Sequence, residues 1–493
     1  MDTIKYVILF IYFAILFVIG YFASKRIKGS DDFFVGGKKL GFWAVSFSSR
    51  ATGESAWLLL GLTGMGAIIG VKALWVVLGE MLGVSLAWIF MAKPFKRLTD
   101  KYDSITVPDY LESHFKPKNH LLRIVAASAL AVFVTVYVSA QIDATGQAFE
   151  SFLNWNYFVG AIVGFVIVLA YSFIGGFVAV VWSDFFQGIL MLLGLVALPL
   201  VAYINYEGNL FDNLELIDPS LLSWWGKGGF SWINLASIIA LVSIGLGFLG
   251  APQVFVRFMS VKNEKELDKG KWVAMAFTLL AGLGAVFIGL FARSLFSENY
   301  LEVLGSDGKG SLIALVEKLM PLVIVGTYIA VVLAAIMSTI DSLLVVVSSA
   351  ITRDFYQKIF HPELEQNRMA KISRNITFII AMVALVVAVI VALLVPGRSI
   401  FWFILIGWSG IAASFCPVII LSLFWKKYNA QGALASMITG FIGVPFFKFI
   451  MPLAPGVGPF FNSLEEMMPA FALAFAVGIF VTHYTSKKQA KVV

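Results

Sequence analysis

A series of long apolar segments limits how this chain can fold more than any other feature. We predict thirteen, each near or above the roughly 20 residues that a helix needs to cross a bilayer. They are 5–24, 41–70, 73–95, 121–152, 157–174, 176–205, 232–258, 272–293, 321–352, 372–395, 399–425, 430–452 and 466–485. The first has no charged residue from Tyr6 to Ser24, which is too long for a signal-peptide core. We therefore expect an all-α, multi-pass integral membrane protein.

Composition excludes other classes of protein. Hydrophobic residues make up 60% of the chain and charged residues 13%, so there is too little polar surface for a soluble globule. The single cysteine, Cys416, excludes a disulfide framework and a cysteine-based metal centre. The net charge of +7 is explained by topology rather than by nucleic acid, because basic residues in membrane proteins set orientation. We predict no cofactor and no nucleic-acid partner.

The distribution of basic residues predicts the orientation. With thirteen crossings, the loops 25–40, 93–120, 257–271, 353–374 and 426–427, the C-terminal tail and Arg123 share one side, which holds 27 of the 36 Lys and Arg residues. The other side holds eight. The positive-inside rule makes the basic side cytoplasmic. The prediction is a plasma (inner) membrane protein with its N-terminus outside and its C-terminus in the cytoplasm.

Polar residues inside the second span form the first candidate site. Positions 48–55 read Ser-Ser-Arg-Ala-Thr-Gly-Glu-Ser in a segment that must cross the bilayer. Charges at membrane depth are costly and usually face an internal cavity. A run of small and hydroxyl residues weakens a helix, and transporters use broken helices to build ion and substrate sites. The alternative is a face of small residues for helix packing, but packing does not require Arg50 and Glu54.

A hydroxyl stripe in the ninth span forms the second candidate site. Ala335, Ser338, Thr339 and Ser342 lie at i, i+3, i+4 and i+7 on one helix face, and Asp341 flanks them. Oxygen ligands suit a hard cation, and this modest charge suits sodium. Hydrogen bonding between helices is the alternative for the hydroxyls alone; Asp341 favours an ion site.

A third irregular segment lies in the seventh span. Gly245, Gly247 and Gly250 match a dinucleotide-binding spacing, but that motif needs a soluble strand–turn–helix unit. With Pro252 they predict a second broken helix. Breaks five helices apart predict inverted repeats. The expected single transporter domain has core repeats at about 41–205 and 232–425, with helices 5–24, 430–452 and 466–485 outside them.

Several sequence strings resemble the sodium/solute symporter family and, within it, the sodium/proline symporters. They are Ser-Ala-Trp-Leu-Leu-Leu-Gly-Leu-Thr-Gly (55–64), Thr-Val-Pro-Asp-Tyr-Leu (106–111), Ser-Phe-Ile-Gly-Gly-Phe-Val-Ala-Val-Val-Trp-Ser-Asp (172–184), Arg-Phe-Met-Ser (257–260) and Ala-Ala-Ile-Met-Ser-Thr (334–339). The resemblance covers residues 6–485. It implies a thirteen-helix fold with a five-plus-five inverted repeat and sodium-driven uptake by alternating access.

The resemblance also implies cation sites. The main sodium site falls on the backbone carbonyls of Ala51, Glu54 and Ala335 and the hydroxyls of Ser338 and Thr339. A second site, for a cation or a proton, falls on Asp184, Asp341 and Ser342. Asp341 adds a carboxylate where relatives more often carry a serine.

The implied substrate pocket departs from that of the proline symporters. The predicted substrate-binding residues are Thr52, Ser55, Trp57, Tyr137, Gln141, Ile244 and Phe248. Proline symporters carry an aspartate at Gly53, whereas the acid here is Glu54, about 100° further around a helix. Ile244 and Phe248 replace a tryptophan and a tyrosine. Arg50, Gln141 and Asp143 add polar groups.

The function we predict is sodium-coupled symport of a small polar solute, most simply a proline-like amino acid. The alternatives are a sugar, a monocarboxylate or an osmolyte, or a proton-coupled carrier that uses Asp184 and Asp341. Arg50 and Glu54, at i and i+4, either contact the substrate or pair with each other as a gate. No channel filter and no catalytic cluster is visible, so we do not expect an enzyme. The expected partners are the solute, sodium and the lipid bilayer, and the expected state is a monomer.

Overall fold

The computed structural model describes residues 2–25, 30–117, 119–361, 363, 366–395 and 397–490. These residues are almost entirely helical and form no strand, apart from an isolated bridge between Leu40 and Val261. Eleven helical runs in this part of the chain are long and apolar enough to cross a membrane. The all-α membrane architecture is thus confirmed.

The α-helices follow one another along the whole chain. They are α1 (Asp2–Ser24), α2 (Ser30–Val35), α3 (Phe42–Ala56), α4 (Thr63–Ile69), α5 (Leu74–Leu86), α6 (Ala92–Lys101), α7 (Val107–Phe115), α8 (Leu121–Leu153), α9 (Tyr157–Asn205), α10 (Leu210–Ile217), α11 (Trp232–Ser243), α12 (Pro252–Ser260), α13 (Glu264–Leu295), α14 (Tyr300–Val303), α15 (Ser311–Leu319), α16 (Leu322–Ala350), α17 (Gln366–Leu394), α18 (Ile400–Phe424), α19 (Ala430–Pro445), α20 (Gly458–Leu464) and α21 (Met467–Ala490). Tight 3-10 turns lie at Gly36–Lys38, Gly70–Ala73, Pro219–Leu222, Ile244–Leu249 and Met451–Leu453. Wider π-helical turns lie at Trp57–Leu62, Ala87–Met91, Ile351–Phe360 and Phe446–Ile450.

The second and third predicted spans lie in one 60-residue helical run, Phe42–Lys101. The helix is interrupted at Gly70, whose φ of +62° and ψ of −139° leave the helical region. A side chain at this position would meet the backbone oxygen of Leu221 at 1.9 Å, so only glycine fits. The helix Tyr157–Ala170 is shorter than the other runs. The total of thirteen crossings therefore stays a prediction.

The predicted boundary between spans 157–174 and 176–205 lies within α9. The helix kinks at Gly176, with φ +53° and ψ −158°. A Cβ there would lie 2.7 Å from the ring of Phe33, so α2 packs directly on the kink. The boundary in the sequence therefore corresponds to a bend in one long helix.

The centre of the bundle is α16. Its most apolar window is wholly buried, and it packs against α1, α3, α8 and α9. The helix continues as a π-helical segment to Phe360, beyond the predicted end at 352. Because α16 has no face toward lipid in this window, its polar residues point into protein.

Two helix interruptions lie within the bundle. The first is confined to Ser55, with φ +40° and ψ −168°. The sequence predicted a break across 48–55, but residues 48–54 remain helical. The second interruption is the 3-10 turn Ile244–Leu249, followed by the restart of the helix at Pro252.

Candidate functional site

Five oxygen atoms from α3 and α16 meet beside the first interruption. The Ser338 hydroxyl donates to the carbonyls of Ala51 and Ala335, each at 3.1 Å. The Thr339 hydroxyl donates to the carbonyls of Thr52 and Ala335, at 3.2 and 3.1 Å. All these residues are buried. Four of the five predicted main-site residues are thus brought together, and Thr52 adds a carbonyl that the sequence did not assign to this site.

The fifth predicted ligand lies one turn further along α3. The carbonyl of Glu54 accepts the backbone N–H of Trp57, which spans the interruption at Ser55. When two oxygens each lie about 2.4 Å from a hard cation and the oxygen–cation–oxygen angle is a right angle, the two oxygens are about 3.4 Å apart. The oxygens around Ser338 and Thr339 are spaced similarly. If the two hydroxyls rotate their protons away, the donor set fits a sodium ion.

A buried guanidinium lies at the predicted second cation site. Asp184 Oδ2 accepts from Ser48 at 2.6 Å and is 3.0 Å from the guanidinium of Arg257. The same guanidinium donates to Thr52 at 2.8 Å and to Ser342 at 2.5 Å. Arg257 has no exposed surface. Asp184 and Ser342 are therefore joined through Arg257, and the second cation or proton site stays a prediction.

The sequence counted Arg257 with the basic loop 257–271, where the predicted span 232–258 ends, and the structure shows that it is not a loop residue. It lies in the last turn of α12, which packs against α3 and α16. The available signal was its setting among Phe255, Val256 and Phe258, which is too apolar for a loop. Asp341 is buried nearby and interacts electrostatically with Arg257 and with Tyr12 of α1.

The predicted substrate residues gather around Ser55. The Tyr137 hydroxyl donates to the Ser55 hydroxyl at 3.4 Å. The backbone N–H of Ala56 donates to Gln141 Oε1 at 3.3 Å. All are buried, so α8 closes over the interruption in α3. A broken helix exposes N–H groups whose dipoles favour an anion, such as a carboxylate.

An aromatic wall lies opposite this interruption. The rings of Phe248 and Trp408 are 5.0 Å apart, and those of Tyr137 and Trp408 are 6.4 Å apart. Trp408 also donates to the carbonyl of Ile244 at 3.0 Å. Trp57 donates its indole N–H to the carbonyl of Gly53 at 3.0 Å. Sequence reasoning missed Trp408, because aromatic residues are common in membrane helices.

Arg50 forms a buried ion cluster beside the wall. It pairs with Glu54 on α3 and with Glu80 on α5, the latter at 2.5 Å. Its guanidinium lies 4.5 Å from the centre of the Phe248 ring. A side chain at Gly53 would meet that ring at 2.7 Å. The aspartate that proline symporters carry there does not fit this packing, and the acidic groups lie at Glu54 and Glu80 instead.

Asp143 belongs to a different cluster. It pairs with Arg398, accepts from the Tyr157 hydroxyl at 2.5 Å and accepts from Gln147 at 2.9 Å. Gln147 in turn accepts from Lys309 at 2.8 Å. The sequence counted Asp143 among the polar groups added to the pocket; in the structure it ties α8 to the loop before α18.

A pocket opens on the side of the bundle that carries Lys309, which we call the Lys309 face. It has a volume of about 280 Å³, and its lining includes Leu60, Lys72, Asp307 and Phe401. Phe401 packs on Gly61 and lies edge-on to Trp57. Trp57 is two residues from Ser55, and the residues around Ser55 have almost no exposed surface.

The opposite side, which we call the Arg123 face, is closed by an ion network. Arg123 pairs with Asp109 at 2.9 Å, with Asp354 at 2.5 Å and with Glu112. Thr106 adds a hydrogen bond to Asp354 at 2.9 Å. The network joins α7, α8 and the extension of α16.

Comparison with known families and proteins gives a consistent result. A family model described as the sodium:solute symporter family matches residues 33–440. The high-affinity proline transporter PutP of Bacillus subtilis (strain 168) is 34% identical over 473 residues, which cover 95% of this chain and 96% of that protein. The sodium/proline symporter 2 of Staphylococcus saprophyticus is 32% identical over 489 residues, which cover 98% and 93%.

Solved structures support the fold. A sodium-coupled sialic acid symporter in a substrate-bound outward-open state superposes with a TM-score of 0.79 at 20% identity, covering 97% of this chain and 98% of that one. MhsT in complex with L-phenylalanine superposes with a TM-score of 0.56 at 14% identity, covering 90% and 98%. At such low identity these likenesses concern the fold alone.

Proposed function

This chain belongs to the sodium:solute symporter family, and from that premise we propose that it imports a small, proline-like amino acid together with sodium. The sequence resemblance to the family is confirmed, as is the expectation of a transporter rather than an enzyme. Solute and sodium are the transported partners of this family. The identity of the solute and the residues that bind it are our proposal.

One observation carries the proposal: the candidate ion site and the candidate substrate site share one helix. Ala51 contributes a carbonyl to the oxygen cluster around Ser338, and Ser55, one turn later, meets Tyr137. A cation that pulls on the carbonyl of Ala51 also positions the interruption at Ser55. Binding of the two ligands is then cooperative and reciprocal.

Energetics favour sodium as the driving ion. Moving one charge through a membrane potential of 100 mV supplies about 2.3 kcal/mol. One sodium ion can therefore concentrate a neutral zwitterion.

Alternating access would open the pocket of the Lys309 face toward the outside and the Arg123 face toward the cytoplasm. This orientation, with the N-terminus outside and the C-terminus inside, follows the positive-inside rule. The transporter would work as a monomer in the plasma membrane, since both candidate sites lie within one chain.

Two alternatives for the transported species remain. A sugar, a monocarboxylate or an osmolyte would use the same coupling mechanism with a different solute. A proton-coupled carrier would instead use Asp184 and Asp341. The contacts of Asp184 with Arg257 and Ser342 favour sodium as the coupling ion, because Asp184 already has a permanent cationic partner.

Uptake of radiolabelled L-proline into proteoliposomes tests the proposal. We expect uptake to require an inward sodium gradient. Ser338→Ala and Thr339→Ala should each raise the half-saturating sodium concentration at least tenfold, because each removes an oxygen ligand. Ser349→Ala is the matched control, since its hydroxyl donates to Val346 in its own helix.

Three results would contradict the proposal in different ways. Uptake driven by a proton gradient in the absence of sodium would show that the coupling ion is the proton. Sodium-dependent uptake of a sugar or a monocarboxylate, but not of amino acids, would show that the substrate is not an amino acid. Equal sodium dependence in Ser338→Ala and Ser349→Ala would remove the ion site from α16.

A further inference from the structure

The ion cluster of Arg50, Glu54 and Glu80 carries an unbalanced charge. One guanidinium faces two carboxylates, so the formal charge of the cluster is −1. None of the three side chains is more than 1% exposed. A buried charge without compensation is strongly destabilising. Neutralising the cluster therefore takes one more positive charge, either a proton shared between the two neighbouring carboxyl groups or a cationic ligand.

The cluster also holds unused hydrogen-bonding atoms. Within the described part of the chain, Glu54 Oε2 and Glu80 Oε2 have no hydrogen-bond partner, and neither do Arg50 Nε and Gln141 Nε2. Leaving a buried polar atom unsatisfied costs about 1–3 kcal/mol, and more for a charged group. Two acceptors and two donors are thus available, which is the pattern that an ammonium group and a carboxylate require.

The position of the cluster connects it to the candidate substrate site. Arg50 packs against Phe248 of the aromatic wall. Glu54 and Glu80 both act electrostatically on Tyr137, which contacts Ser55. Arg50 also precedes Ala51, whose carbonyl accepts from Ser338 in the oxygen cluster. The unbalanced negative charge therefore lies at the candidate substrate site and next to the oxygen cluster around Ser338.

We propose that Glu54 and Glu80, held in place by Arg50, bind the protonated amine of the transported solute. The amine donates its N–H groups to the two free carboxylate oxygens and neutralises the cluster. The carboxylate of the solute lies at the helix interruption, within reach of the amide nitrogen of Gln141. The inference rests on the proposed function and narrows it to α-amino and α-imino acids.

The same charge argues against other solutes of the family. A monocarboxylate without an amine would bring a second negative charge to a buried cluster that already carries one. Repulsion between like charges in a site of low dielectric is large. A sugar would supply neither a positive charge nor a cationic donor to the two carboxyl groups. A purely structural ion cluster would be expected to satisfy its own carboxylate oxygens, whereas two of these remain unpartnered.

Matched pairs of compounds test the amine directly in the unmodified protein. Purified full-length chain is melted in saturating sodium with L-proline or (S)-tetrahydrofuran-2-carboxylate, in which the ring oxygen replaces the amine. L-alanine and L-lactate form a second pair. We expect the amine member of at least one pair to raise the melting temperature, with an apparent affinity at least tenfold higher than that of its partner. Equal affinities within each pair, or no effect of any compound, would overturn the inference.

Isosteric variants test the residues. Glu80→Gln should weaken the affinity for the amine compound at least tenfold. It should also reduce the advantage of the amine compound, which is the ratio of its affinity to that of the oxygen compound. Asp143→Asn is the matched control: the same change in a buried acid two residues from Gln141 should leave this advantage unchanged. An unchanged advantage in Glu80→Gln would overturn the role of Glu80. If Glu80→Gln does not fold, Glu54→Gln tests the other free carboxylate oxygen of the cluster by the same comparison.

The outcome also separates this inference from the proposed function. If sodium alone raises the melting temperature and sodium-dependent uptake of L-proline is observed, the symport mechanism stands. A failure of the amine comparison then removes only the role of the ion cluster. If sodium has no effect on the unmodified protein, the proposed coupling fails first.

Discussion

At the scale of single residues, Arg257 links the polar side chains around Asp184. Its guanidinium contacts Asp184, Thr52 and Ser342, which come from three different helices. It has no exposed surface, and its charge is met by Asp184 at 3.0 Å. Breaking a buried pair by removing one partner leaves an uncompensated charge, whereas removing both partners can be nearly neutral.

We therefore predict strong coupling between the two residues. Asp184→Asn and Arg257→Met should each destabilise the protein by about 3–5 kcal/mol. The double variant should be less destabilised than the sum of the two. Melting temperatures of the purified protein, measured as a double-mutant cycle, check this expectation.

The control cycle uses Arg97 and Glu264, an ion pair that is largely exposed, with Arg97 at 65%. Exposed pairs contribute at most about 1 kcal/mol, so Arg97→Gln and Glu264→Gln should have small effects. Additive effects of Asp184→Asn and Arg257→Met would show that the buried pair is not an energetic unit.

At the scale of elements, the glycines of the second interruption have separate structural roles. A Cβ on Gly245 would lie 1.9 Å from the backbone oxygen of Gly79 in α5, and one on Gly83 would lie 2.0 Å from the oxygen of Gly245. Gly247 faces the ring of Trp408, where a Cβ would lie at 2.3 Å. Small residues allow such close backbone contact between membrane helices. The glycine motif thus serves packing as well as the interruption of the helix.

Gly245→Ala should accordingly be poorly tolerated. The contact at 1.9 Å is with backbone, which cannot move aside as a flexible side chain would, so α5 and the 3-10 turn must separate. We expect a large loss of monodisperse protein in size-exclusion chromatography and a lower melting temperature. Gly443→Ala in α19 is the control, because the nearest atom to its Cβ would be the side-chain carbon of Ala470 at 3.2 Å, and the nearest backbone atom lies at 3.5 Å. Similar behaviour of the two variants would contradict the close packing of α5.

At the scale of the whole molecule, both routes to the centre are closed. Phe401 lines the pocket of the Lys309 face and packs edge-on against Trp57, and Ser55, two residues from Trp57, has no exposed surface. The network around Arg123 ties three segments together at the other face. Alternating access requires that one closure opens at a time, and a ligand shifts this equilibrium only through its differential affinity for the two states.

Cysteine labelling follows the opening of the Lys309 face. The only native cysteine, Cys416, is buried, so Cys416→Ser gives a simple background. In that background, Leu60→Cys at the base of the pocket should react faster with a polar thiol reagent in sodium, and more slowly when L-proline is added. Ser237→Cys, which also lines the pocket and is partly exposed, should change little. Labelling of Leu60→Cys that is independent of both ligands would contradict gating at Phe401.

Local patterns in the sequence determined the class of protein and much of the candidate site. The lengths of the apolar spans predicted an all-α membrane protein, because lipid leaves few ways to satisfy the backbone. The hydroxyl stripe of Ser338 and Thr339 was visible because it repeats with the helical period. The pairing of Arg50 with Glu54 was one of two readings left open, and it is local, at i and i+4.

The tertiary structure alone decided which distant groups meet. Glu80 pairs with Arg50 from another helix, and Arg257 pairs with Asp184, 73 residues away in the sequence. Asp143 pairs with Arg398 rather than with residues of the candidate substrate site. A buried charge takes the partner that helix packing brings within reach, and no local period in the sequence encodes that choice. The chain thus specified by its own pattern which residues are polar within the membrane, and by its folding which of them neutralise one another.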